Sequence, residues 1–395
     1  TMIQGYLRYE TNPQVVFDMF FRRQPFAGGF SVFAGLDDLI DQILAFRFGP
    51  DEIDFLREQK LFHEDFLDQL ESFRFRGSIW SVPEGSIVFA AEPLIRIHAS
   101  LVEAQVIEGL LLNTINFQTL IATKAARVYL ASDQGKVLEF GMRRAQGRDG
   151  AMSAARAAYI GGAAATSNTL AGKTYGIPVL GTMAHSWVMA FPTELESFER
   201  YADLYPDATI LLIDTYSTLE SGIENAIRVG KAMQKKGKRI GVRLDSGHLQ
   251  YLSKQVRRRL DDAGLTDATI TASNELNEEI IHQLITTDSP IDSWGVGTNL
   301  VTGGDDASLS GVYKLACKIV DGAPEPTMKV SSHPGKTTLP GVKQLHRFFD
   351  ASGAPLADLV ALENEEILPD RTHLFIHPDL NTRRFEMAHY GSIQP

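Results

Sequence analysis

One cysteine, Cys317, is all that the 395 residues contain. A lone thiol excludes an internal disulfide framework and a cysteine-rich zinc site within one chain, and it suits a reducing, cytoplasmic compartment. Cys317 itself reads as a buried core thiol. Long apolar runs are missing too: the most hydrophobic helical stretch, 101–131, is interrupted by Glu103, Glu108, Asn113, Asn116 and Lys124. A bilayer core, which needs about 20 apolar residues, does not tolerate that pattern, so no membrane partner is expected. The start, Thr1-Met2-Ile3-Gln4, is not the basic run followed by an apolar run that marks a secretory segment. Cations are in deficit, with 38 Lys and Arg against 49 Asp and Glu and a net charge of -11. That balance argues against nucleic acid as a partner, although a local arginine cluster can still receive a small anion. The chain also lacks a Walker loop, a Cys-x-x-Cys, a His-Glu-x-x-His, internal repeats and low-complexity tracts. What is present is an ordinary globular composition, long enough for two or three domains at roughly 100–200 residues each.

Residues 36–73 carry apolar side chains at helical spacing, broken at Gly49-Pro50-Asp51, where Asp51 is expected to cap the next helix. Ile79-Trp80-Ser81, Ile87-Val88-Phe89 and Ile95-Arg96-Ile97, separated by turn residues, read as short strands of a β-rich unit. A long amphipathic helix follows. From residue 137 the texture changes to β-branched runs at 137–140, 177–180, 209–213, 239–244, 269–272 and 294–296, with helix-length segments between most of them. This alternation calls for a parallel sheet, and closure into an α/β barrel is the expected arrangement, with all strand ends on one catalytic face. Beyond about residue 320 the chain turns Pro- and Gly-rich, then strand-like again at 343–349 and 359–362. These pieces are expected to complete the N-terminal sheet. The expected division is a discontinuous domain of residues 1–132 with 325–395 and a barrel of residues 133–324.

The strand ends carry the chemistry. His185, in Gly181-Thr182-Met183-Ala184-His185-Ser186-Trp187, offers an imidazole that can act as a general base or accept a phosphoryl group. Either role needs its second nitrogen oriented, and Asp214, on the neighbouring strand end, can do that or simply cap the helix that follows. In Arg243-Leu244-Asp245-Ser246-Gly247 the period of two puts Arg243 and Asp245 on one side. One is a fork for an anion and the other can bind ribose hydroxyls or a hydrated Mg2+; a structural salt bridge is the competing reading. Gly295-Val296-Gly297-Thr298-Asn299 makes either a phosphate nest or plain turns. Phe140-Gly141-Met142-Arg143-Arg144 sets an aromatic face beside two cations, suited to a flat ring and a phosphate, although Phe140 alone would read as core. Lys235-Lys236-Gly237-Lys238-Arg239 and Arg257-Arg258-Arg259 read as solvated helix ends, and Glu194, Glu196 and Glu199 as the first turns of a helix.

These segments, with Thr166-Ser167-Asn168-Thr169-Leu170-Ala171-Gly172-Lys173, Pro25-Phe26-Ala27-Gly28-Gly29-Phe30 and Val82-Pro83-Glu84-Gly85, together resemble the nicotinate phosphoribosyltransferase family of type II phosphoribosyltransferases. The likeness runs over nearly the whole chain. It implies an irregular α/β barrel plus a discontinuous β-sandwich-like α+β domain. It also implies condensation of nicotinate with phosphoribosyl pyrophosphate to nicotinate mononucleotide and pyrophosphate, with Mg2+ and with ATP hydrolysis coupled through a phosphohistidine. By the resemblance His185 is that histidine, Asp214 the carboxylate that steadies it and Asp245 a catalytic ribose contact. Phe140 stacks on the pyridine, Arg143 serves the phosphates, Thr182 and Arg243 meet nicotinate, and Ser246, Gly247, Gly297 and Thr298 complete the substrate site. Asn168 stands where nicotinamide-using relatives hold an Asp, and its neutral side chain does not repel the nicotinate carboxylate. Nicotinamide phosphoribosyltransferase and a catalytically silent nucleotide-binding relative are the alternatives. His248, where many relatives have Asp, is expected to alter a helix cap or a contact behind the site. A homodimer or higher assembly with the active site at the subunit interface is implied. Relatives carry a Thr-Asp-x-Tyr-Gln-type segment whose Tyr closes over the pyridine from a neighbouring subunit; by the resemblance it lies before Thr1, or else the sandwich around the ring is incomplete. A Cys-rich metal-binding tail is not expected.

Overall fold

A computed structural model describes residues 1–330, 338–369, 371–377, 380 and 382–395. The chain divides into two compact units, Thr1–Asn116 with Leu309–Pro395, and Phe117–Ser308.

The unit Phe117–Ser308 is built on a six-stranded parallel sheet. In spatial order its strands are Ala165–Thr166, Lys136–Glu139, Ser293–Val296, Thr269–Ser273, Gly241–Leu244 and Ile210–Leu212. Register pairs Thr271 with both Ser293 and Arg243, and Leu138 with Gly295. The strands are near-continuous apolar runs because a parallel sheet is covered on both faces. Leu211, Val242, Leu244 and Ile270 are fully buried against Ile223, Val256 and Leu260 of the surrounding helices. Those helices start where the sequence supplies an acceptor. Thr193 Oγ1 accepts from Glu196 N at 3.2 Å to open Glu194–Leu204, and Asn277 Oδ1 accepts from Ile280 N at 2.8 Å to open Glu278–Thr286. The result is an irregular α/β barrel.

The irregularity lies at one place. The expected strand at 177–180 is reduced to a single parallel bridge between Val179 and Thr166, and Pro178 within it has no N–H to donate. The strand that occupies the sheet beside Lys136–Glu139 is Ala165–Thr166. Two residues long and preceded by Gly161-Gly162-Ala163-Ala164, it carries no β-branched run to announce itself.

The other unit holds a five-stranded antiparallel sheet ordered Ala323–Pro326, Gly311–Val320, Gln14–Phe21, Ile95–Ser100, Ser78–Ser81. Here the structure corrects the expectation for the C-terminal pieces. Lys343–Phe349 and Pro355–Leu362 do not join this sheet but form a three-stranded one with Ser392–Gln394. Gly311–Val320 joins it instead. Gln14–Phe21 is buried on both faces, at Val15, Val16, Phe17, Met19 and Phe21, and its backbone N–H and C=O groups, shut off from water, need a partner strand along each edge. The ten-residue strand supplies one, with Tyr313 stacked on Phe17 at 4.6 Å between ring centroids. The cap at Asp51 is also corrected: Gly49 is the N-cap of Pro50–Glu58, its N–H donating to Glu52 Oε2 at 2.9 Å, and Asp51 lies in the first turn. Cys317 is fully buried. No helix among the described residues is long and apolar enough to cross a membrane.

Candidate active site

The strand ends of the barrel open into a cavity of about 360 Å³. Phe140, Arg143 and Arg144 form one wall, from the turn that follows Lys136–Glu139. Ser167 follows Ala165–Thr166, and Thr182 and His185 come from the segment after the Val179 bridge. Arg243 and Asp245 end Gly241–Leu244, Ser273, Asn274 and Glu275 end Thr269–Ser273, and Gly295, Gly297 and Thr298 end Ser293–Val296.

Two glycines shape the aromatic wall. A Cβ on Gly295 would sit 2.7 and 2.8 Å from Phe140 Cδ2 and Cε2, so the phenyl ring rests on a position that only hydrogen leaves open. A Cβ on Gly141 would meet Val301 Cγ1 at 2.3 Å, so the turn carrying Arg143 lies directly against Thr298–Thr302. Phe140 N donates to Val296 O at 2.8 Å and continues the sheet pairing into the turn.

Arg243 is the deep cation. Burial pushes its guanidinium below the ordinary value; the neighbouring carboxylates of Asp245 and Asp214 work the other way and hold it charged. One terminal nitrogen donates to Thr182 Oγ1, while Nε is buried without a partner. Arg243 lines the cavity as a half-buried cation, and an anionic ligand is the group that would meet its charge there.

The partners of His185 differ from those expected from its sequence neighbours. Its Nδ1 lies 3.1 Å from Thr215 Oγ1, and its Nε2 lies 3.6 Å from Asp245 Oδ2. Asp214 makes no hydrogen bond to the imidazole: its Oδ2 accepts from Asp245 N at 2.8 Å and from Ser246 Oγ at 2.7 Å, and its Oδ1 is buried without a partner. Asp214 therefore positions the Asp245-Ser246 backbone turn. Asp245 Oδ1 in turn accepts from Ser273 Oγ. Thr215, the residue after Asp214, was not singled out by sequence reasoning, and a threonine one position beyond an acidic strand end carries no signal that could have found it.

The remaining predicted residues divide. Gly297 and Thr298 line the cavity. Ser246, Gly247 and Asp214 are not among the residues that line it; Gly247 takes a left-handed φ of +79°, which turns the chain into Leu249–Asp262. His248 caps that helix, Nδ1 accepting from Tyr251 N at 3.3 Å. Asn168 does not line the cavity either. It is buried and caps Thr169–Tyr175 by accepting from Ala171 N at 3.2 Å, while its amide N–H reaches Ala151 O at 3.3 Å.

The comparisons agree with this architecture. The sequence pattern of the nicotinate phosphoribosyltransferase (NAPRTase) N-terminal domain matches residues 1–116, and that of the nicotinate phosphoribosyltransferase (NAPRTase) family matches residues 135–353. A nicotinate phosphoribosyltransferase of Bacillus subtilis is 46% identical over 366 residues, covering 92% of this chain and 74% of its own length. One from Homo sapiens is 34% identical over 426 residues, covering 93% and 78%. The crystal structure of human nicotinic acid phosphoribosyltransferase superposes with a TM-score of 0.86 at 30% identity, over 100% of this chain and 86% of that one. Nicotinate-nucleotide pyrophosphorylase from Pyrococcus furiosus, at 21% identity and a TM-score of 0.72 over 93% of this chain and 82% of that one, shares the fold. The chain belongs to the nicotinate phosphoribosyltransferase family, a family of enzymes.

Proposed function

We propose that this chain joins nicotinate to phosphoribosyl pyrophosphate, forming nicotinate mononucleotide and pyrophosphate, and that ATP hydrolysis is coupled to the transfer through phosphorylation of His185. The observation that carries the reading is the half-buried Arg243 cation in a cavity whose wall is Phe140. A flat ring bearing a carboxylate satisfies both. The pyridine nitrogen's lone pair attacks C1′ of the ribose as the bond from C1′ to the pyrophosphate oxygen breaks and its electrons leave with pyrophosphate. Phe140 fixes the ring for that line of attack, and Arg143 and Arg144 meet the departing charge. Asp245 is suited to the ribose hydroxyls, and Gly297 with Thr298 to phosphate. In the coupled reaction an imidazole nitrogen of His185 takes the γ-phosphoryl of ATP, ADP leaves, and water later releases phosphate.

The residues present fit a hydrated Mg2+. Asp245 offers a carboxylate at the cavity, the buried Oδ1 of neighbouring Asp214 has no partner, and among the described residues no group of three or more His, Cys, Asp or Glu could hold a metal unaided. Mg2+ held by one or two carboxylates together with substrate phosphates matches such a sparse donor set, and when bound it supplies charge neutralisation at the pyrophosphate. A homodimer or larger assembly acting in the cytoplasm completes the proposal. Phe140 is the one benzenoid ring lining the cavity among the described residues, which leaves the second face of the pyridine to an aromatic from elsewhere.

The test is a nicotinate assay with and without ATP that follows pyrophosphate and phosphate together, repeated with nicotinamide. Nicotinate is expected to be preferred, and His185→Ala to lose ATP stimulation while retaining ATP-independent transfer. Preference for nicotinamide would overturn the substrate assignment, and ATP coupling that survives in His185→Ala would remove the phosphohistidine.

A further inference from the structure

Behind the cavity, and outside every role assigned so far, sits a buried carboxylate. Glu139 is the last residue of Lys136–Glu139 and is 1% exposed. Its two oxygens face two different loops. Oε1 accepts from Gly141 N, in the turn that carries Phe140 and Arg143; Oε2 accepts from the Thr166 hydroxyl, at the start of the loop that carries Ser167. Thr166 Oγ1 accepts in turn from Asn168 N at 3.0 Å, and Glu139 O accepts from Ser167 N at 2.9 Å. We propose that Glu139 is a positioning residue for the transfer reaction, a single carboxylate that holds the ring-stacking and phosphate-binding wall in register with the Ser167 wall across the base site. The proposal rests on the phosphoribosyltransferase reading above.

The hydrogen-bond inventory makes an ionised carboxylate the group that suits this place. Both facing groups are donors, and a carboxylate has an acceptor on each oxygen. An amide has one acceptor and one donor end. Whichever way Gln is turned, its NH2 meets either the Gly141 N–H or the Thr166 hydroxyl, which must then give up its own donation to position 139. Burial drives the Glu139 carboxyl up from its ordinary range, and the Thr166 and Gly141 bonds oppose that rise. A buried group retained against such a cost is explained by what its two bonds hold in place. Each wall then inherits its position from a strand and not from a free loop, as a reacting geometry sensitive at the ångström scale requires.

The experiment compares wild type with Glu139→Gln, Thr166→Val and Thr166→Ser in steady-state kinetics with nicotinate and phosphoribosyl pyrophosphate varied separately. Glu139→Gln is expected to raise at least one of the two KM values fivefold or more, because the amide keeps an acceptor for one wall and loses it for the other. Thr166→Val, which cuts only the Ser167 side, is expected to raise the nicotinate KM at least threefold with the phosphoribosyl pyrophosphate KM within twofold. Thr166→Ser, which keeps the hydroxyl, is expected to restore the nicotinate KM. A merely structural role lowers the active fraction and hence kcat while leaving both KM values alone. The proposal is overturned by KM values within twofold of wild type in soluble Glu139→Gln, or by Thr166→Ser behaving like Thr166→Val. If Glu139→Gln does not fold, the two threonine variants decide. A wild-type chain that forms no nicotinate mononucleotide overturns the functional reading itself and this assignment with it, an outcome separate from an active enzyme indifferent to position 139.

Discussion

At the scale of single residues the site depends on what is missing as much as on what is present. Gly295 has no side chain, and the Phe140 ring fills the space that a Cβ would take. Gly295→Ala is therefore expected to tilt or displace that ring and to cost roughly tenfold or more in kcat/KM for nicotinate, since an ångström of misplacement is expensive in a positioned reaction. The two positions act as a unit, so Phe140→Ala in the Gly295→Ala background should add little further loss. Additive losses in that cycle would show that Gly295 does not work through Phe140. The sequence made the strand-end residues legible, because period-two alternation and barrel geometry send Phe140, Arg143, His185, Arg243 and Asp245 to one mouth. It did not make the hydrogen-bond partners legible. Whether Asp214 or Thr215 meets the imidazole is decided by how the chain leaves the strand Ile210–Leu212, which the order of residues does not reveal.

At the scale of elements the same division holds. Helices were readable from spacing, but the cap expected at Asp51 falls at Gly49. The strand Ala165–Thr166 was not, because two residues leave no periodicity, and the run at 177–180 was misleading because β-branched composition does not reveal how much of a strand finds a partner. One turn between elements carries its own prediction. Glu92, between the strands Ile87–Val88 and Ile95–Ser100, is 6% exposed and accepts from Phe89 N at 2.8 Å. Burial, followed by a hydrogen bond to Asp358, pushes its carboxyl from 4.5 up to about 8. Arg347 holds Asp358 in a two-pronged pair at 2.7 and 2.6 Å and neutralises only one of the two carboxyls. The folded chain thus keeps a proton that the unfolded chain gives up at about 4.5. The stability this contributes is complete below that value, and it drains away as pH rises towards about 8. Glu92→Gln, which can still donate to Asp358, should flatten the fall in melting temperature between pH 5 and pH 8 (roughly the span of the two values). Parallel wild-type and variant curves across that window would refute the assignment.

At the scale of the whole molecule, the net charge of -11 says nothing of where charge is spent, and part of it is spent inside. The unit made from both chain ends contains a buried ion pair. Lys343 Nζ lies 2.6 Å from Asp18 Oδ2, with side chains 7% and 3% exposed. Lys343 also donates to Leu339 O and Gly341 O at 2.8 and 2.9 Å, and Arg96 donates to Lys343 O while pairing with Glu363 at 2.8 Å. Asp18 belongs to the N-terminal strand Gln14–Phe21, Arg96 to Ile95–Ser100 and Lys343 to Lys343–Phe349, so the network ties the C-terminal sheet to the N-terminal one. These ties could not be read from the sequence, because a lysine opening a strand looks solvated there. Removing one partner from a buried pair leaves the other charge uncompensated, at a cost of about 3–5 kcal/mol, whereas removing both is far milder. Lys343→Met should therefore shift the urea midpoint down by that equivalent, and Asp18→Asn combined with Lys343→Met should recover most of the loss. A Lys343→Met midpoint close to wild type, or a double variant no better than the single, would show that the Asp18–Lys343 pair is not what holds the C-terminal sheet.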